Sequence, residues 1–315
     1  MKYYIGIDLG GTNIKAGVVD ENYNIIGKAK TKTACPRPAS EIADDMADIS
    51  IKACEDAGIS INEIEWIGIG TPGIADNING TIPYSNNLGF KDVPIREYIQ
   101  KTIKKPVYVA NDANAAAYGE FVAGSAKGAV DAVCITLGTG VGAGVIIDGK
   151  IFTGRNLAGT EIGHMVIEAD GPNCTCGRKG CFEVFSSATG LVNMTKKAIE
   201  ENPETIMSEY AKNGHISARH AFDAMRAGDA TGKMVVQKYI KYLALGITNV
   251  INTFQPDVLC IGGGVCNEGD PLLIPLKELV AKEVYTRMLS QNTKITVAEL
   301  GNDAGIIGAA FLGNS

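Results

Sequence analysis

Apolar and polar positions follow one order of elements at two places in the chain. In each place a mostly apolar strand runs into a glycine turn and is followed by a second strand, a polar turn and a third strand. The predicted strands are 3–9, 14–19 and 24–29, and then 132–137, 143–147 and 150–152. Asp148-Gly149, before the last of them, is a strong hairpin signal. Aligning the two places puts Asp8–Thr12 over Thr136–Gly140, which indicates an internal duplication.

Each copy continues with a helix pattern. Ser40 is a suitable cap for a helix with an apolar face, which Gly58 would end. In the second half, apolar positions recur at helical spacing from 236 to 254, and Pro256 ends that helix. A strand follows over 257–261 and runs into Gly262–Gly264, where the absence of side chains lets a ligand approach the backbone.

One carboxylate stands at the end of a predicted strand. The apolar run 106–110 is followed by Asn111-Asp112, and a helix is predicted over 113–120. A carboxylate between a strand's carboxyl end and a helix N-terminus is well placed to act as a base in a site. Asp112 would equally serve as a simple N-cap, since Asp is favoured there.

Three glycine turns at strand ends are candidates for holding phosphates through backbone N–H groups: Gly10-Gly11-Thr12, Gly138–Gly140 and Gly262–Gly264. Any one of them suits a tight turn as well, but two fall at matching positions of the duplicated unit. The P-loop sequence does not occur. Gly68–Gly73 has the spacing of a dinucleotide fingerprint, but Pro72 blocks the helix which that fingerprint must open. A nicotinamide cofactor is therefore not expected.

A cluster of soft metal ligands lies between Glu161 and Glu183. The four ligands are His164, Cys174, Cys176 and Cys181, interrupted by turn glycines. Three thiolates and an imidazole suit tetrahedral Zn²⁺, and a closed shell of four ligands has a structural role. The alternative is a set of buried or unpaired cysteines. A zinc loop would fix the two carboxylates and the imidazole as an array able to bind a polyhydroxyl ligand, although both carboxylates could also be ordinary surface residues.

Composition narrows the class of protein. The chain has 315 residues, which suits two domains, and its hydrophobic fraction of 45% and charged fraction of 20% are typical of soluble globular proteins. A net charge of −6 argues against a nucleic-acid surface. The longest mostly apolar run, 132–147, is shorter than the ~20 residues of a membrane span. Eight cysteines without a signal peptide predict a reducing compartment, and a cytoplasmic location is expected.

Taken together, these motifs resemble the ROK family (repressors, uncharacterised frames, sugar kinases), and within it the bacterial glucokinases. The resemblance covers nearly the whole chain. The matching segments are Asp8–Asn13, Thr71–Gly73, Asn87–Gly89, Asn111–Ala116, Leu137–Gly142, Glu161–His164 and Cys174–Glu183. The family implies an α/β actin-like ATPase (ribonuclease H-like) fold, duplicated into two lobes with the nucleotide between them, together with a zinc-binding loop and a homodimer.

The resemblance also implies a role for individual residues. Asp112 would be the general base, and Asp8 would orient Mg²⁺. The sugar would be bound by Gly73, Asn87, Asn111, Asp112, Glu161, His164 and Glu183. ATP would be bound by Asp8, Gly10, Gly11, Thr12, Asn13, Lys15, Gly138, Thr139, Gly140, Gly262, Gly263 and Gly264. Zn²⁺ would be bound by His164, Cys174, Cys176 and Cys181. Lys15 stands where many relatives have Arg, which weakens a bidentate phosphate contact there.

The resulting prediction is ATP-dependent phosphorylation of glucose at the 6-hydroxyl. The predicted lobes are 1–112, completed by a terminal helix at about 303–315, and 113–302 with the zinc loop. The alternative enzyme is an N-acetylhexosamine kinase, because the same carboxylates would serve either sugar. A sugar-sensing repressor of the same family would carry a winged helix-turn-helix before the first phosphate motif, whereas seven residues precede Asp8 here. A catalytically idle sugar-binding protein is the remaining alternative.

Overall fold

The structure is a computed structural model that describes residues 1–212 and 214–315. By their contacts these residues form two compact units: one of 1–133, 144–160 and 298–315, the other of 134–143 and 161–297. The strands are β1 Tyr3–Leu9, β2 Asn13–Asp20, β3 Ile25–Lys32, β4 Ile64–Thr71, β5 Ile74–Asp76, β6 Thr81–Ser85, β7 Phe90–Val93, β8 Val107–Asn111, β9 Ala132–Leu137, β10 Val141–Ile147, β11 Lys150–Ile151, β12 Val258–Gly262 and β13 Lys294–Val297. The helices are α1 Ala39–Ala57, α2 Ile95–Thr102, α3 Asp112–Ala123, α4 Phe182–Ser186, α5 Ala188–Glu201, α6 Met207–Lys212, α7 Arg219–Arg226, α8 Ala230–Phe254, α9 Asp270–Glu283 and α10 Ala304–Ala310.

The first unit is built on a five-stranded sheet in the order β3-β2-β1-β4-β8. β1 pairs with β4 in parallel and β4 with β8 in parallel, whereas β2 and β3 are antiparallel neighbours. β1 and β4 are almost continuously apolar because both of their faces are covered. A separate three-stranded sheet, β5-β6-β7, follows Gly73.

The second five-stranded sheet has the order β11-β10-β9-β12-β13. Its strand order repeats that of the first sheet, with an antiparallel pair β10–β11 at one edge and a parallel pair β12–β13 at the other, as predicted for a duplicated α/β frame. Within the second unit, Phe182 at the start of α4 is buried against Gly246 of α8, where a Cβ would lie 2.1 Å from the ring. This contact fixes the segment that carries Glu183. Within the described residues, none of the helices is both long and apolar enough to cross a bilayer.

The start of α1 and the extent of the first unit differ from the sequence predictions. Ser40 does not cap α1, because the helix begins one residue earlier at Ala39 with Pro38 at the cap position and no side-chain cap bond. The first unit extends past residue 112 to residue 133, and it also takes in 144–160 and 298–315. The first unit includes α3 because that helix packs against α10, which belongs to the same unit.

The α10 contacts depend on residues without side chains. A Cβ on Gly68 of β4 would lie 1.7 Å from the carbonyl oxygen of Ala309, and one on Gly308 would lie 1.7 Å from that of Ala115 in α3. Neither oxygen can move without moving its backbone. α10 therefore sits against both the sheet and α3 at a distance that only glycine permits.

Gly308→Ala is expected to destabilise the protein by at least about 2 kcal/mol, because the added methyl group overlaps helix backbone. Gly17→Ala, in β2 of the sheet that α10 packs against, is the matched control. Its Cβ would meet methyl groups of Ile306 at 2.7 Å and of Ile25 at 3.2 Å, which are side-chain atoms that can shift without moving the backbone. Urea unfolding of both variants measures the difference. Equal loss of stability in the two would contradict the backbone-overlap explanation.

Candidate active site

Two carboxylates lie at the carboxyl edge of the first sheet. Asp8 is opposite Gly70 in the β1–β4 pair, and the neighbouring β8 ends at Asn111, immediately before Asp112. One strand separates the two acids, so their backbones are about 10 Å apart. A Cβ on Gly70 would lie 3.0 Å from Cβ of Ala115 and 3.7 Å from the Cα of Asp112. Gly70 thus lets the first turn of α3, which carries Asp112, pack closely against β4.

Asn111, and not Asp112, caps helix α3. Its Oδ1 accepts hydrogen bonds from the N–H groups of Ala113 at 2.9 Å and Asn114 at 3.3 Å. Its Nδ2 donates to the carbonyl oxygen of Gly73 at 3.0 Å, which links the helix to the start of the β5–β6 hairpin. The interpretation of Asp112 as a simple N-cap is therefore wrong. Asp112 is the first residue of the helix, and its Oδ1 accepts a hydrogen bond from the N–H of Ala113 at 2.9 Å.

Burial raises the pKa of Asp112 above its ordinary value, and the charge of Asp8 adds to the rise, while the hydrogen bond from Ala113 opposes it. Asp8 itself is paired with Lys15, which lies directly opposite it in the β1–β2 register with Nζ 3.1 Å from Oδ2. At this edge of the sheet, Asp8 therefore has a cationic partner, and Asp112 is a stronger base than an exposed aspartate.

The first glycine turn joins β1 to β2. The N–H of Gly10 donates to the carbonyl oxygen of Asn13 at 3.0 Å, which closes the turn. Gly11 and Thr12 are exposed at its tip. A Cβ on Gly11 would lie 3.9 Å from Cβ of the exposed Asn87, so this turn and the β6–β7 turn are neighbours. The first unit therefore brings together five of the predicted segments: Asp8, the glycine turn, Gly73, Asn87 and Asn111-Asp112.

In the second unit, the Gly138–Gly140 turn is held by helix α5. The N–H of Ala188, the first residue of α5, donates to the carbonyl oxygen of Gly138 at 2.8 Å. A Cβ on Gly138 or on Gly264 would meet nothing within 4 Å, so both backbones are open. Gly263 differs, because its φ is +95° and a Cβ there would lie 2.3 Å from the carbonyl oxygen of Leu137. Packing alone accounts for glycine at that position.

A cavity of about 520 Å³ connects these two open turns. Arg226 and Glu268 form an ion pair in its wall. The cavity is lined by Leu137, Gly138, Thr139, Ala188, Ser217, Ala218, Arg219, Arg226, Gly264, Val265, Asn267 and Glu268. Sequence reasoning missed the ion pair, because its partners stand 42 positions apart with no motif at either position.

The four soft ligands converge. One side-chain donor atom from each of His164, Cys174, Cys176 and Cys181 lies within 4.8 Å of the others. Nδ1 of His164 is 3.6 Å from Sγ of Cys174, and Sγ of Cys176 is 3.7 Å from Sγ of Cys181. Backbone bridges between Val166 and Cys181 and between Asn173 and Lys179 hold the loop in this shape. The cluster can hold a single metal ion.

The two acids that flank the cluster differ in their surroundings. Glu183 is largely buried, with Oε1 3.1 Å from Sγ of Cys174 and Oε2 accepting a hydrogen bond from the N–H of Val141 at 3.4 Å. A Cβ on Gly140 would lie 2.5 Å from Oε2, so the glycine turn leaves room for this carboxylate. Glu161 is exposed and precedes a 3₁₀ turn at Ile162–His164, in which the N–H of His164 donates to the carbonyl oxygen of Glu161 at 3.0 Å.

Comparison with known proteins identifies relatives along the whole chain. A glucokinase from Halalkalibacterium halodurans is 36% identical over 99% of this chain and 94% of its own length. The crystal structure of a ROK family glucokinase from Streptomyces griseus, in complex with glucose and AMPPNP, is 33% identical, covers 98% of both chains and has a TM-score of 0.78. That of the ROK hexokinase from Thermus thermophilus is 32% identical, with a TM-score of 0.79 over 98% of this chain and 97% of its own.

The model of the ROK family matches residues 4–315. The predicted family and its duplicated actin-like ATPase fold are thereby confirmed. The chain belongs to the ROK family.

Proposed function

We propose that this protein transfers the γ-phosphoryl group of ATP to the 6-hydroxyl of glucose, with Asp112 as the general base. The observation that carries the proposal is the sheet edge of the first unit, where a partly buried acid of raised pKa lies beside Asp8 and an exposed glycine turn. The glucokinase relatives support ATP and glucose as the substrates.

Phosphoryl transfer needs little covalent chemistry from a protein, so most of the acceleration comes from positioning and charge stabilisation. In this proposal Asp112 accepts the proton of the sugar hydroxyl, and its raised pKa makes it a better acceptor than an exposed aspartate. Asp8 is proposed to orient Mg²⁺, which when bound neutralises phosphate charge. Lys15 supplies a further single positive charge beside Asp8.

The glycine turns are proposed to bind the nucleotide. Thr12 and Asn13, with Gly10-Gly11, and the Gly138–Gly140 turn would meet the phosphates through backbone N–H groups. Gly262–Gly264 would lie on the adenosine side. The cavity that joins Gly138 to Gly264 supports this assignment, and it adds Asn267 as a polar group available to a ribose.

The sugar is proposed to be held by Glu161, His164 and Glu183, and by Gly73, Asn87 and Asn111. Asn111 can contribute one hydrogen bond only, because its Oδ1 caps α3 and one of its two N–H groups is given to Gly73. Glu183 must turn away from Cys174 to bind a hydroxyl once that sulfur is an ionised metal ligand, since the two groups are then both anionic.

The metal cluster is proposed to hold one structural Zn²⁺. Zn–S bonds of about 2.3 Å in a tetrahedron place sulfurs about 3.8 Å apart. The 3.7 Å between Cys176 and Cys181 fits that edge. Because Nδ1 of His164 faces Cys174, Nδ1 would bind the metal and Nε2 would be free for the sugar. When bound, the ion supplies a fixed shape for the loop. The homodimer and the cytoplasmic location stay predictions.

A coupled ADP-release assay with ATP and Mg²⁺ tests the function. The sugars are glucose, mannose, fructose, allose, N-acetylglucosamine and N-acetylmannosamine. Glucose is expected to have the highest kcat/KM. A higher value for an N-acetylhexosamine would establish the alternative kinase, and no ADP release with any sugar would contradict the proposal.

A further inference from the structure

The first glycine turn is held from one side by Thr33, the residue that follows β3. Thr33 is fully buried. Its Oγ1 donates to the carbonyl oxygen of Gly10 at 2.6 Å, and its N–H donates to the carbonyl oxygen of Thr12 at 2.9 Å. One residue thus bonds the turn at both of its ends.

Thr33 is itself anchored. Its carbonyl oxygen accepts a hydrogen bond from Nε of Arg37 at 2.8 Å, and the guanidinium of Arg37 is paired with Asp45 of α1. A glycine turn has many accessible backbone conformations, so it depends on its neighbours for a single geometry. The chain of contacts from α1 through Arg37 and Thr33 supplies that geometry.

Because peptide groups are planar, the hydrogen bonds from Thr33 also orient the N–H groups of the glycine turn. In a planar trans peptide the N–H points opposite to the preceding C=O. Fixing the carbonyls of Gly10 and Thr12 on Thr33 therefore aims the N–H groups of Gly11 and Asn13 away from Thr33. These are two of the groups that the proposed function assigns to the phosphates.

We propose that Thr33 is a positioning residue for phosphate binding, acting through the backbone of Gly10 and Thr12. This inference rests on the proposed function, since it takes the turn to be a phosphate site. Loss of the hydroxyl leaves the part-buried carbonyl of Gly10 without this donor and frees the peptide between Gly10 and Gly11 to rotate.

Thr33→Val keeps the shape and removes the hydroxyl. It is expected to lower kcat/KM for ATP by about 10–100-fold and to leave KM for glucose within about twofold. Thr33→Ser should restore kcat/KM for ATP to within about threefold of the wild type, because it restores the donor. Thr33→Cys, with a weak thiol donor, should fall between Ser and Val.

Thr195→Val is the matched control. Thr195 is also fully buried and donates its hydroxyl to a backbone carbonyl, that of Leu191, at 2.8 Å within α5. It should leave both KM values within about twofold, because its hydroxyl bonds a carbonyl of its own helix and no part of a glycine turn. Thermal melting of each variant reports folding.

The readouts separate three failures. Unchanged ATP parameters in folded Thr33→Val, or an equal rise in KM for ATP and glucose, would overturn the positioning role. If the Val variant does not fold, equal ATP parameters for the Ser and Cys variants would overturn it instead. If the wild-type protein itself releases no ADP with any hexose, the proposed function has failed, and that result is seen before any variant is measured.

Discussion

Asp112→Asn is expected to lower kcat by about 10²–10⁴-fold, the usual contribution of a general base. An amide oxygen can still accept the hydrogen bond from Ala113, so the helix start should keep its geometry. What the amide cannot do is take the proton of the sugar hydroxyl. Glucose affinity, measured by calorimetry, should stay within about threefold while the coupled assay reports the loss of turnover. A variant with more than about a tenth of the wild-type kcat would remove Asp112 as the base.

Folding of the same variant can be predicted from the direction of the pKa shift. The folded-state pKa of Asp112 lies above the unfolded value, chiefly because of burial, so folding disfavours the ionised form. Burial of this carboxyl does not lower the free energy of unfolding below the unfolded-state pKa, where both states are protonated. The destabilisation grows as the pH rises and reaches its full size above the folded-state pKa. At neutral pH the asparagine should therefore be equally stable or more stable in a thermal melt, which separates lost catalysis from lost structure.

His164→Ala is expected to lose the metal ion and to raise KM for glucose by at least about tenfold. The imidazole lies 3.6 Å from Cys174 and 3.6 Å from Glu183, so its removal opens the cluster beside a proposed sugar contact. Elemental analysis should find about one zinc per chain in the wild type and much less in the variant. Retention of zinc together with a normal KM would show that this loop has no part in sugar binding.

Glu183→Gln is the matched variant for that experiment. It changes a proposed sugar contact and keeps all four metal ligands, so zinc should stay while KM for glucose rises. The pair of variants thus separates loss of the ion from loss of a hydroxyl contact.

The strands were predictable because their apolar runs are long and end in glycine. The sequence predicts β1 and β9 with the bounds that the structure has. The cap of α3 was not predictable, because Asn111 and Asp112 are both favoured caps, and only the three-dimensional structure shows that Asn111 is at the cap position and also reaches the N–H of Asn114. The start of α1 was not predictable either. Ser40 is a favoured cap residue, but the helix already begins at Ala39, with Pro38 at the cap position.

The glycine motifs show a similar limit. Gly263 and Gly264 read alike in sequence, yet one packs against Leu137 and the other is open. Thr33 carried no signal at all, since its partners are backbone carbonyls that any residue supplies. Tertiary contacts decide these roles, and they are not encoded in local patterns.

The packing of α10 also has a consequence for how the chain is made. Gly6 and Gly68 are near the start of the sequence, but the backbone that fills the space above them belongs to Ile306 and Ala309. Residues 161–297, which belong to the second unit, leave the ribosome before those partners do. During synthesis the first sheet therefore keeps an uncovered apolar face while the second unit is translated. Helix α10 can pack on that face only after translation has passed residue 310.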